Sequence, residues 1–216
     1  MNTHDPVRKL YTERGWFYQR LFVEFLGWGR ELEAFFRRAN YLCPNFKILD
    51  AGCGTGIVTR VLYQLAQEAG YLGIQFHAFD LTPMMVEMFR QWIIAQGATQ
   101  IELAQADVFE TVGFPSHWKE YDLIVSSTML EYLPPNQVRD ALMNLKKLLG
   151  NDGLLLILMT RRNRLTRWLA ASWWKTQIYS KRDIQMLLED ASFEEIKFRD
   201  FSPRWSKSIM VIEVKK

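Results

Sequence analysis

Residues 46–56, FKILDAGCGTG, constrain the fold of this 216-residue chain more than any other stretch. Ile48 and Leu49 read as the end of a buried strand. Asp50 stands at the mouth of a turn, and Gly52, Gly54 and Gly56 follow at alternate positions. From Ile57 to Gln67 the apolar spacing becomes helical. A strand, a glycine turn and a helix bring backbone N–H groups and a helix N-terminus close to a ligand. Glycine is needed where a Cβ would block that approach or where φ must be positive.

The spacing of the glycines narrows the ligand. The dinucleotide fingerprint is G-x-G-x-x-G, and here the third glycine arrives one place early, with Ile57 where that pattern has glycine. This disfavours a nicotinamide-linked oxidoreductase. The phosphate-cradling pattern G-x-x-x-x-G-K-[ST] fails as well, because no Lys follows Gly56.

Strand and helix patterns alternate after the turn. Strands are predicted at Lys47–Ala51, Ile74–Asp80, Ile101–Ala106, Tyr121–Ser127 and Gly153–Thr160, with helices at Ile57–Ala69, Pro83–Gln96 and Asn136–Leu149. Thr82 is the expected N-cap before Pro83. Such alternation implies a parallel sheet with helices on both faces. Before it, Val7 to about Tyr41 reads as one or two amphipathic helices with a break at Gly27 and Gly29. After it come a helix at Asn163–Trp174, a helix at Lys181–Asp190 capped by Ser180, and two strands near Phe193–Phe201 and Ser208–Val214, paired as an antiparallel hairpin.

DAGCGTG, Asp50 to Gly56, resembles the first cofactor motif of the class I S-adenosylmethionine-dependent methyltransferases, and the resemblance runs in order from about Phe46 to Thr160. It implies a Rossmann-like α/β fold: a seven-stranded, mostly parallel sheet with helices on both faces and the last strand antiparallel. A single domain is expected over residues 1–216. It comprises an N-terminal helical cap over 1–45, a cofactor-binding core over 46–160, and a lid helix, C-terminal helix and hairpin over 161–216.

The resemblance also implies where the cofactor, S-adenosyl-L-methionine, is held. Gly52, Cys53, Gly54 and Gly56 form the turn, and Asp50 or a nearby carbonyl positions the amino group of the methionine part. Asp80 ends the second strand and matches the family's ribose acid, with Leu81 packed on adenine; the alternative reading of Asp80 is a cap on the next helix. Asp107 matches the acid that accepts from the adenine amino group, Val108 the following backbone donor, and Ser126 lies at the end of the fourth strand. A sulfonium needs neither metal nor base to donate its methyl, so no metal site is expected, and nothing in the chain has the spacing of a Ser nucleophile, H-E-x-x-H or Cys–His cluster.

Substrate class is read from the segment that closes the fourth strand. Ser126–Ser127–Thr128–Met129 lacks the [DNS]-P-P-[YF] run of enzymes that methylate base amines. Leu130–Glu131–Tyr132–Leu133–Pro134 resembles the small-molecule branch, with Tyr132 where that branch carries His. If a base is used, Tyr132, Glu131 and His117 are the candidates; His77 alternates inward and reads as core. The expected acceptor is a small apolar or aromatic molecule, bound through the N-terminal helices, with Tyr11, Trp16, Phe17 and Tyr18, and through the insertion after the fifth strand. Two other functions stay open: a cofactor-binding partner subunit without methyl transfer, and a lipid or quinone methyltransferase at a membrane surface.

That last reading comes from RRNRLTRWLAASWWK, Arg161 to Lys175, which holds five cations and no acid. Basic flanks with Trp suit a lipid interface, and the same stretch suits a lid over an apolar substrate. Net charge is only +3, which argues against a nucleic-acid partner. Cys43 and Cys53 suggest no disulfide scaffold, and the N-terminus lacks the order of a secretory signal. A cytoplasmic protein is expected, peripheral to a membrane if the basic segment rests on lipid.

Overall fold

The computed structural model describes residues 27–163 and 177–216. Seven strands form one sheet in the order β3-β2-β1-β4-β5-β7-β6, the Rossmann-like, mostly parallel arrangement expected. The chain divides into two compact units at Asp107 and Val108.

The first unit opens with α1 (Trp28–Ala39), whose N-cap Gly27 adopts φ 67°. Trp28, Leu32, Phe35 and Phe36 form its buried stripe, while Arg37 and Arg38 occupy the last turn, where cations complement the helix dipole. Of the two glycines, Gly27 stands at the start of this helix and Gly29 lies within it. Then follow β1 (Lys47–Ala51), α2 (Ile57–Glu68), β2 (Gln75–Asp80), α3 (Pro83–Gln96) and β3 (Ile101–Gln105). β1 pairs with β2 and β2 with β3, all parallel, with Asp50 opposite Ala78 and Asp80 opposite Gln105. β1 is buried from Ile48 onward, as expected of a strand covered on both faces.

The second unit holds β4 (Tyr121–Ser127), α4 (Pro135–Leu148), β5 (Leu149–Thr160), α5 (Lys181–Asp190), β6 (Glu195–Arg199) and β7 (Ile209–Lys215). β4 and β5 are parallel; β7 is antiparallel to both β5 and β6. This confirms the antiparallel hairpin and the antiparallel last strand. Leu123 to Val125 and Leu155 to Leu158 are at most 1% exposed and form the centre of the core. β6 carries Glu195, Lys197 and Arg199 outward, the charged pattern that protects an edge.

β5 begins at Leu149, earlier than the predicted Gly153, and α4 stops one residue sooner to release it. The register shifts between Tyr121 and Leu123, so the strand pairs on both sides of a bulge. Gly153 sits where a Cβ would lie 2.4 Å from the Tyr121 carbonyl, and only glycine allows that approach. Ser180 caps α5 in a reciprocal box with Asp183, as predicted. Residues 1–26, including Tyr11, Trp16, Phe17 and Tyr18, lie outside the described residues, as do residues 164–174 of the predicted helix Asn163–Trp174.

Candidate functional site

In the first unit the strand β1 delivers Asp50 to its carboxyl end, the place where open α/β sheets bind ligands. Gly52, Gly54 and Gly56 then adopt φ 72°, 54° and 82°. Two of these glycines are needed for different reasons. At Gly56 a Cβ would sit 2.3 Å from the Phe89 ring; at Gly54 no heavy atom lies within 4 Å, so the backbone there is open to a ligand.

The turn spends its amides internally. Gly52 N and Cys53 N both donate to Phe79 O at 3.0 and 2.9 Å, and Gly56 N donates to Cys53 O at 2.8 Å. Gly54 N donates to Asp80 Oδ2 at 2.8 Å. These four groups are therefore not a phosphate cradle, in line with the failure of the phosphate-cradling pattern in the sequence.

Asp80 links two elements. Its Oδ2 takes the Gly54 amide and its Oδ1 takes the Thr82 amide at 2.8 Å. Thr82 is the N-cap of α3, as predicted, but its hydroxyl makes no cap bond, and Asp80 holds the amide of that N-cap residue. Asp80 is half-buried, so its carboxylate keeps acceptor capacity beyond these two amides. Burial pushes it above the usual carboxylate range, against the pull of the Thr82 and Gly54 amides. Leu81 is half-buried beside it, and Asp107, also half-buried, closes this unit.

Asp50 is placed differently from the expectation of a ligand-facing acid. It is 2% exposed, and its Oδ2 accepts from Thr59 N at 3.1 Å and Thr59 Oγ1 at 2.7 Å. Oδ1 is buried and has no hydrogen-bond partner among the described residues. Burial raises the Asp50 carboxyl to about 7, with the Asp80 charge adding to the rise and the two Thr59 donors opposing it. Cys53 is buried and its thiol is pushed well above its ordinary value by burial, then by Asp50 and Asp80. Arg60, one turn into α2, stacks over Trp92 at 4.9 Å and Phe89 at 5.7 Å, and burial lowers it to about 10.

In the second unit Val108 is 4% exposed, and its carbonyl accepts from Asn144 Nδ2 at 3.1 Å. Ser126 is fully buried, with its Oγ unpartnered among the described residues. The turn after β4 contains Leu130–Tyr132 as a short 3-10 helix. Glu131 does not sit in solvent. It is 3% exposed, accepting from Thr160 N at 2.7 Å through Oε2 and from Thr160 Oγ1 at 3.1 Å through Oε1. Its own carbonyl accepts from Gln177 N at 2.7 Å. Burial raises its carboxyl to about 7. Tyr179 lies in the same neighbourhood, its hydroxyl raised to about 12 by burial and by the charges of Glu131 and Asp183. Tyr132 is half-buried, and His117 is exposed next to buried Trp118. His77 belongs to the core, as its alternation indicated.

Thr59, Thr160 and Gln177 were missed in the sequence. Thr59 alone carried a signal, being the third residue of a helix whose N-cap is a glycine and therefore lacks a capping side chain.

A β-strand, a glycine turn with internally satisfied amides, and an acid ending the next strand define an α/β domain of the nucleoside-cofactor type. Residues 48–153 match the family model described as Methyltransferase domain. The ribosomal protein L11 methyltransferase of Thermosipho africanus is 30% identical over 117 residues, covering 54% of this chain and 38% of that protein. The malonyl-[acyl-carrier protein] O-methyltransferase of Paenibacillus sp. is 33% identical over 110 residues, covering 50% and 37%. The chain thus spans less than half the length of these curated relatives. In fold it is similar to a S-adenosylmethionine-dependent methyltransferase from Clostridium acetobutylicum, with TM-score 0.67, 14% identity and coverage of 95% and 98%. Residues 48–153 thus form a methyltransferase domain, on a fold shared with S-adenosylmethionine-dependent methyltransferases, and the cofactor that goes with it is S-adenosylmethionine.

Proposed function

We propose that this protein transfers a methyl group from S-adenosylmethionine to O, N or C of a small apolar or aromatic molecule. The observation that carries the reading is Asp80: a half-buried carboxylate fastened to both the glycine turn and the start of α3, which holds the Gly54 and Thr82 amides and the Thr82 hydroxyl and keeps acceptor capacity for a ribose hydroxyl. Gly54, with open space where a Cβ would stand, admits the cofactor to the backbone. Leu81 packs on the adenine, Asp107 accepts from its amino group, and the Val108 N–H is the backbone donor to the ring. Gly52, Cys53 and Gly56 shape the wall, Asp50 lies at the methionine end, and Ser126 lies at the end of β4.

When bound, the cofactor would supply a methyl on a sulfonium; the acceptor's lone pair takes the methyl in line, the neutral thioether leaves, and any acceptor proton passes to solvent. The chain's own residues bind, orient and exclude water. Of the candidate bases, Glu131 is committed to Thr160 and His117 is exposed. Tyr132, half-buried on the turn after β4, is the one assigned to acceptor contact, as an orienting group.

Calorimetry with S-adenosylmethionine, S-adenosylhomocysteine and NAD tests the cofactor. Binding of NAD alone would overturn it. A screen of phenols, amines, fatty acids and quinols for S-adenosylhomocysteine release then separates turnover from a binding-only partner subunit.

A specific cluster favours a second reading, action at an anionic lipid surface. The basic run that begins at Arg161 is flanked in the structure by further cations. Arg161 Nη1 donates to Ser206 O at 3.4 Å, Asn163 Nδ2 donates to Lys207 O at 2.6 Å, and Arg161 and Lys181 line one small cavity. Arg182 follows Lys181 on α5, and Arg162 pairs with Asp183 at 3.1 Å. No helix among the described residues is long and apolar enough to cross a membrane, so contact would be peripheral.

A further inference from the structure

Four exposed arginines pair with acids. Arg37 bonds Glu33 and Glu68 at 2.8 Å, Arg90 meets Glu87 at 3.6 Å, Arg162 meets Asp183 at 3.1 Å and Arg199 meets Glu213 at 2.9 Å. Arg60 is half-buried and has no carboxylate partner among the described residues. Its guanidinium lies over the Trp92 ring at 4.9 Å and the Phe89 ring at 5.7 Å. Those rings attract the charge but offer no lone pair to its N–H donors. Of its three nitrogens only Nε is both buried and without an acceptor among the described residues, so the Nη pair is the end open to a ligand. A cation partly withdrawn from water without an anion is a costly arrangement. The planar fork it presents matches a carboxylate in two parallel hydrogen bonds.

The two helices around Arg60 leave that charge uncompensated. α2 and α3 carry one acid each, Glu68 and Glu87. Glu68 is taken by Arg37, and Glu87 by Arg90 and Gln91. Tyr63, three residues after Arg60 and so on the same side of α2, meets Trp92 edge-on at 6.0 Å, and Phe89 tilts against Trp92 at 6.0 Å. The Trp92 ring is therefore held in place before anything binds, which lowers the cost of a complex. Tyr63, Met88 and Trp92 are half-buried, and Ile94 is 65% exposed. Arg, Tyr, Trp and Met are the side chains that protein interfaces gather, and Trp, Tyr and Arg carry most of the binding energy there. We propose that this face of α2 and α3 docks a protein partner, which seats an acidic side chain on Arg60 and packs the apolar residues beside it on Tyr63, Met88 and Trp92. None of these four residues is assigned to the cofactor, so the face is independent of the methyltransferase reading.

The test is NMR titration of the full-length protein, following the Arg60 Nε–H and Trp92 Nε1–H signals. The probes are acetyl-Leu-Glu-Phe-amide, the same peptide with Gln for Glu, and inorganic phosphate. The Glu peptide should shift both signals along a saturable curve and bind roughly tenfold more tightly than the Gln peptide, the margin of a charged hydrogen-bonded pair. Arg60→Gln should bring the Glu peptide down to the affinity of the Gln peptide, read on the Trp92 signal. Should Arg60→Gln misfold, the two peptides compared on the wild-type protein decide the matter. The proposal fails if the Glu peptide shifts neither signal, if the Gln peptide binds equally well, or if a folded Arg60→Gln protein binds the Glu peptide as wild type does. Phosphate binding as tightly as the Glu peptide would show a site for small oxyanions instead. Shifts that grow with protein concentration alone would assign the face to a second copy of this chain. Either result overturns the docking of an acidic partner.

Discussion

Asp80 Oδ2 accepts the Gly54 amide at 2.8 Å, which ties the end of β2 to the turn that leaves β1. The same carboxylate holds the Thr82 amide at the start of α3. A ligand lying over Gly54 would thus meet an acid whose position is fixed before binding. Fixing a group in advance lowers the entropic cost of the complex.

Asp80→Ala should weaken S-adenosylmethionine binding by about 1–3 kcal/mol, since hydrogen bonds to a charged acceptor are lost. The loss should exceed that for Leu81→Ala, which removes only packing. Titration calorimetry decides it, and an Asp80→Ala protein with wild-type affinity would remove Asp80 from the site.

Gly56→Ala should destabilise the fold by about 2–4 kcal/mol, from a left-handed backbone and a Cβ pressed against Phe89. The clearance is 2.3 Å to the ring at φ 82°. The double variant Gly56→Ala/Phe89→Leu should recover part of this, because the smaller side chain relieves the clash while the backbone strain remains. Denaturant unfolding measures both. Equal stability of the single and double variants would show that the ring contact is not what requires glycine.

Much of this was legible in the sequence, and the reasons differ by element. β1, β4, α3 and α5 fall at their predicted bounds because each has a local signal at its ends: glycine after β1, Pro83 and Gly97 around α3, Ser180 before α5. The junction of α4 and β5 was misplaced because the helix passes into the strand with no spacer, and a bulge opposite Tyr121 extends pairing beyond Gly153. The acids at the strand ends were found by position. Their partners were not: Asp50 turns inward to Thr59 and Glu131 to Thr160, nine and 29 residues away, and such pairings are set by packing alone.

The inward turn of Glu131 gives stability a pH dependence. Its carboxyl rises from 4.5 to about 7 on burial. An acid raised in the folded state takes up a proton on folding, so its contribution to stability is greatest at low pH and declines as pH rises from about 4.5 to about 7. Glu131→Gln keeps an acceptor for Thr160 N and cannot ionise. The difference in unfolding free energy between about pH 5 and about pH 8 should therefore shrink in the variant. Asp183 and Glu195 are lowered, the opposite sense; Glu195 is exposed and contributes little, and Asp183 is half-buried in the capping box of α5. An unchanged difference in Glu131→Gln would mean the carboxyl does not titrate in this window.

The basic cluster beside Arg161 makes the lipid reading testable without knowing the acceptor. Anionic vesicles attract each nearby cation with about 1 kcal/mol, and the attraction falls off within a Debye length, about 10 Å at 0.1 M salt. The protein should co-sediment with phosphatidylglycerol vesicles at low salt, bind phosphatidylcholine vesicles more weakly, and dissociate as salt rises. Lys181 and Arg182 stand exposed on α5, so Lys181→Glu/Arg182→Glu should cut binding by roughly tenfold or more while the helix, capped by Ser180 and Asp183, stays folded. Cofactor affinity in that variant should equal wild type, because neither residue belongs to the glycine turn or the strand ends. Absence of vesicle binding by the wild-type protein at low salt would leave the cluster as an ordinary solvated face and retire the membrane reading.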